Sequence, residues 1–68
     1  MSIDKNRITV IENKIVTIYN YEKIVSINTN KIIIDMYDIV GDNLKISELD
    51  GYQVKILGVI KEIIFKYE

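Results

Sequence analysis

The side chains that could do chemistry in this 68-residue chain are hydroxyls, carboxylates, lysines and tyrosines, because it has neither histidine nor cysteine. A hydroxyl nucleophile needs a neighbouring base to take its proton. Ser26 and Ser47 have no histidine to do so, and both read as residues on the solvent face of a strand. Paired carboxylates can divide acid and base work between them, and Asp35, Asp38, Asp42 and Asp50 are the most clustered acids. Each falls in or beside a turn signal, where Asp is expected for hydrogen bonding to nearby backbone. Calcium takes oxygen ligands, and Asp38, Asp42 and Asn43 lie close to Gly41, but they do not follow the alternating ligand spacing of an EF-hand. Gly41 reads better as a turn residue with positive φ. Zinc and other transition metals lack their usual imidazole and thiolate ligands here. The residues therefore imply no catalytic group, no metal and no cofactor.

Five tyrosines, at positions 19, 21, 37, 52 and 67, could form the stacking platform of a small nucleic-acid-binding β-barrel. Such platforms sit beside a positively charged groove. The lysines here are scattered singly, the ten acids outnumber the nine lysines and arginines, and the formal net charge is −1. Cross-strand packing accounts for the tyrosines better, and no nucleic-acid partner or small-molecule substrate is expected.

The elements that must carry these residues are strands. Ile8 and Val10, then Ile15, Thr17 and Tyr19, then Val25 and Ile27, recur at period two, and Ile, Val, Thr and Tyr fit a pleated surface. Turn signals separate the runs at Glu12-Asn13-Lys14, Asn20-Tyr21-Glu22, Asn28-Thr29-Asn30, Gly41-Asp42-Asn43 and Asp50-Gly51. Strands are expected near 7–12, 14–20, 23–28, 31–34, 36–40, 44–48, 52–57 and 59–67. The fold class is all-β: an antiparallel meander of about seven or eight short strands, closed as a β-sandwich or barrel-like domain. Gly41, Asn43, Gly51 and Gly58 are the structural turn and bulge positions. Ile56, Ile60, Ile63, Ile64 and Tyr67 also fit a helical stripe, but Gly58 would weaken it, and the β-branched content favours a strand bulged at Gly58.

A short tail at 1–6 precedes one domain over 7–68. A chain this small has room for one core, and lacks a disulfide to reinforce it. Its apolar fraction of 49% argues against disorder. Ile32, Ile33 and Ile34 are apolar on both faces of a strand, so they are expected between two layers or under a partner chain, and form a possible interface. No apolar run approaches the roughly 18 residues of a membrane span, and residues 1–7 show no signal-peptide pattern. The expected compartment is the cytoplasm.

The order of strands and turns resembles the YabP/YqfC family of sporulation proteins of endospore-forming bacteria, the YqfC branch more closely. The likeness begins with Arg7-Ile8-Thr9-Val10-Ile11 and a strand ending in Asn, Val16-Thr17-Ile18-Tyr19-Asn20. Its most specific part is Gly41-Asp42-Asn43-Leu44-Lys45-Ile46, followed by Val54-Lys55-Ile56-Leu57-Gly58-Val59-Ile60-Lys61-Glu62-Ile63-Ile64-Phe65. After the strand ending at Asn20, Lys23 stands near a common family glycine, and the path from Asn20 to Gly41 is a few residues shorter. The resemblance implies a role in spore formation in the mother cell, through self-association or a membrane-associated sporulation protein, with no activity, cofactor or catalytic residue.

Overall fold

A computed structural model describes residues 8–66. The expected tail, Arg7 of the first strand and Tyr67 of the last lie outside the described residues. Six strands form among the described residues: β1 (Ile8–Ile11), β2 (Ile15–Tyr19), β3 (Ile24–Ile27), β4 (Lys31–Ile34), β5 (Tyr37–Leu49) and β6 (Gln53–Phe65). They make one open antiparallel sheet in the order β1-β2-β6-β5-β4-β3. The all-β expectation holds; the sandwich or barrel and the count of seven or eight strands do not.

The count falls because two expected breaks are bulges inside long strands. β5 joins the expected 36–40 and 44–48 segments, and β6 joins 52–57 to 59–67 as far as Phe65. The ladder runs through Gly41 instead of turning there, with pairs Gly41↔Ile60, Asp42↔Val59 and Lys45↔Leu57. Asn43 and Leu44 thus oppose Gly58 alone, so the extra residue expected at Gly58 sits across from it, on β5. Asn43 has φ 54° and Gly58 φ 146°. The positive φ expected of Gly41 is absent. Gly41 is required for another reason: a Cβ there would stand 1.9 Å from the Val59 carbonyl oxygen. The helical stripe is overruled, since 53–65 is strand throughout.

The meander is also incomplete. β3, β4, β5 and β6 follow one another as neighbours, but the β1–β2 hairpin lies beside β6 and not beside β3. Its turn is formed by Glu12 and Asn13, both at positive φ, and closed by the Lys14 N–H donating to the Ile11 carbonyl at 2.9 Å.

One face of the sheet makes the core. Val16, Ile18, Ile32, Ile34, Tyr37, Ile39, Leu44, Val54, Ile56 and Ile60 form a single buried cluster, with Ile8, Tyr21, Ile24, Ile46, Ile63 and Phe65 packed around it. The register explains the shared face: Val16 opposes Ile56, Ile18 opposes Val54, and Ile32 opposes Ile39. Complete burial of Ile18, Ile32 and Ile56 requires the sheet to curl over this inner face. The chain enforces the curl. A flat sheet would hold β2 and β3 roughly 19 Å apart at about 4.8 Å per strand, beyond the roughly 17 Å that the chain from Tyr19 to Ile24 can reach fully extended.

That crossover, residues 20–23, is pinned at both ends. The Tyr21 hydroxyl donates to the Asp50 carbonyl at 2.8 Å, and the Asp35 carboxylate accepts from the Glu22 and Lys23 backbone N–H groups, the latter at 2.8 Å.

Candidate interaction surface

The four acids singled out from the sequence are held by separate partners. Asp35 caps the crossover. Asp42 pairs with Lys61 at 3.0 Å. Asp50 is a turn residue, its Oδ1 accepting from the Tyr52 N–H at 2.9 Å and the Gln53 N–H at 3.0 Å. These two bonds, the Tyr52 one foremost, hold its pKa below the ordinary value.

Asp38 alone is buried. It projects from β5 on the outer face, between Ile33 of β4 and Ile64 of β6, which directly oppose it. Its Oδ2 meets Lys66 Nζ at 2.9 Å and Lys31 Nζ at 3.6 Å. The Lys66 hydrogen bond leads in lowering its pKa; with the charges of Lys66 and Lys31 it outweighs the opposing effect of burial. Such a carboxylate stays ionised near neutrality and is badly placed to donate or shuttle a proton. Among the described residues no cluster of three or more His, Cys, Asp or Glu side chains could hold a metal.

The remaining sequence candidates are dispersed. Ser26 accepts from the Asn28 amide at 3.2 Å, and Ser47 is exposed in the last part of β5. Tyr37 packs on Phe65 in the core with ring centroids 5.2 Å apart, Tyr21 closes the crossover, Tyr19 is half-buried on β2 and Tyr52 is exposed in the β5–β6 turn. The described tyrosines share no single face. Ile32 and Ile34 are fully buried within the chain, whereas Ile33 is half-buried on the outer face beside Asp38. Gly51 lies in the β5–β6 turn, where an added Cβ would meet nothing within 4 Å.

What the surface offers instead is backbone. Among the described residues, β1 and β3 are the two outermost strands of the sheet, each paired on one side only. In an antiparallel ladder, successive residues turn their N–H and C=O groups to alternate sides. The Asn20 N–H donates to Tyr52 and the Gly58 N–H to Lys14, so the even-numbered residues of β2 serve β6 and the odd-numbered ones serve β1. Thr9 and Ile11, opposite Thr17 and Ile15, therefore turn inward to β2, and the backbone groups of Ile8 and Val10 point out of the sheet. By the same reasoning from the Asn28 N–H to the Lys31 carbonyl, Ile27 points outward from β3. Exposed apolar side chains line both edges: Val10 and Ile11 on β1, Val25 and Ile27 on β3.

Comparison with protein families, characterised proteins and solved structures finds no match. The described residues contain no helix long and apolar enough to cross a membrane. The alternation of Ile8 and Val10 is visible in the sequence, but their place at an edge is not, because it depends on β6, more than forty residues away in the chain, having taken the other side of β2.

Proposed function

We propose that this chain is a non-enzymatic, sporulation-associated protein that works through protein–protein contact or self-assembly. The observation that carries the mode of action is the pair of open strand edges flanked by exposed Val10, Ile11, Val25 and Ile27. Unpaired strand edges bind by extending the sheet, with backbone hydrogen bonds supplying affinity and alternate side chains supplying selectivity. The engagement of Asp35, Asp38, Asp42 and Asp50 with lysines or backbone supports a binding role over a catalytic one. The process rests on the motif run through 41–46 and 54–65 that resembles the YabP/YqfC family. In this reading the protein acts in the mother-cell cytoplasm, on a second copy of itself or on a membrane-associated sporulation protein.

Deleting the gene in the endospore-forming host that the resemblance implies tests the process. Fewer spores, or spores with reduced heat resistance, are expected. Unchanged yield and resistance remove the sporulation assignment.

A further inference from the structure

We propose that β1 pairs antiparallel with β1 of a second copy, about a two-fold axis through Thr9. The proposal rests on the interaction reading above and names the partner and the register.

Two edges allow three pairings between copies: β1 with β1, β3 with β3, or β1 with β3. β3 carries a register shift between Ile24 and Ser26, and such an irregularity twists an edge away from a straight incoming strand. β1 pairs with β2 in unbroken register over Ile8–Ile11 and contains no charge, proline or glycine. At four residues it is short, but it carries none of the charges, prolines or bulges that block edge pairing.

The segment is also complementary to itself. Of the four residues of β1, Ile8 and Val10 turn their backbone groups away from β2, and antiparallel bonding joins such residues in reciprocal pairs. A register centred on Thr9 sets Ile8 against Val10 of the second copy and Val10 against its Ile8. All the outward N–H and C=O groups of both strands are then satisfied. On the inner face, half-buried Ile8 meets Val10, which is 43% exposed in the single chain. On the outer face Thr9 meets itself, one of the favourable cross-strand pairs. A register shifted by two residues engages only one of the two outward residues of each strand in a reciprocal pair. The charge-free, alternating segment selects a partner of the same description, and the second copy provides it at the matching spacing.

The interface is small beside the roughly 1,200 Å² of a stable complex, so a weak dimer is expected. Sedimentation equilibrium of the whole chain over about 10 µM to 1 mM should show the mass rising from one chain toward two. Val10→Pro removes an outward N–H and no bond of the sheet, and should abolish the rise. Ile27→Pro does the same on β3 and should leave it intact. Thr9→Lys and Thr9→Glu touch no ladder bond; each alone should associate at least about tenfold more weakly, and an equimolar mixture should regain association as a mixed dimer. Circular dichroism of each variant separates lost pairing from lost folding, and the Thr9 pair decides the matter if the proline variant unfolds. A wild-type chain that stays monomeric to 1 mM overturns the proposal. So does association lost in Ile27→Pro and kept in Val10→Pro, or a Thr9 mixture no stronger than its components. None of these outcomes alters the spore phenotype on which the process reading stands.

Discussion

Three glycines in one short chain face three different demands. Gly41 must lack a side chain because the Val59 backbone occupies the space of its Cβ. Gly41→Ala is expected to cost about 3 kcal/mol or more, since the nearest atom is backbone and cannot swing aside. Gly58 is confined both by φ 146° and by the Asp42 and Asn43 carbonyl oxygens, each 2.9 Å from its would-be Cβ; Gly58→Ala should cost roughly 2 kcal/mol. Gly51→Ala should change stability by no more than about 0.5 kcal/mol. Urea denaturation of the three variants measures the order. The sequence pointed to all three positions, yet gave Gly41 a turn. Close approach of another strand leaves no mark on the residues next to a glycine, whereas a turn does.

Asp38 belongs to the same scale. Lys66 and Lys31 hold its folded pKa below the ordinary value of 3.8, so the ion pairs contribute fully above that value and are lost as pH falls through it toward the folded pKa. Stability followed by urea midpoint should decline between about pH 5 and pH 2, and less steeply in Asp38→Asn. An equal slope in both proteins would show that other acids govern the decline.

The run Ile32-Ile33-Ile34 shows how a strand divides its residues between two faces. Ile32 and Ile34 have no exposed surface, and Ile33 lies half-buried on the opposite side. Ile32→Ala or Ile34→Ala should lose about 2–5 kcal/mol, and Ile33→Ala markedly less, by thermal or urea unfolding. The run was legible as doubly apolar. That a curled sheet would satisfy two of the three within one chain was not, because the curl comes from the four-residue crossover and from strand order, neither of which is a local property. The edges follow the same logic. Amide hydrogen exchange should be fastest in the outward N–H groups of Ile8, Val10 and Ile27, and slowest in the paired centre of β5 and β6.

At the scale of the molecule, the crossover at 20–23 is the strap that keeps the two halves of the sheet folded toward each other. Tyr21→Phe removes its hydroxyl bond to the Asp50 carbonyl and should cost about 1 kcal/mol; the ring, packed against the core, remains. The all-β class and the position of nearly every strand could be read from period-two patterning. The openness of the sheet, the merging of four expected strands into two and the insertion of β6 between β2 and β5 could not, since pattern reports which residues face a core and says nothing of which strand lies next to which.

The place of β6 has a consequence in time. It is sixth in the chain and third in the sheet, so on the ribosome the β1–β2 hairpin emerges with the β2 side unpaired, and β3–β4–β5 emerges with the β5 side unpaired. Both stay open until β6 is made and slides between them. The period of greatest hazard from stray strand pairing is therefore the interval before β6 docks, and refolding from urea at rising chain concentration should raise the yield of aggregated chain even though the native protein is unchanged.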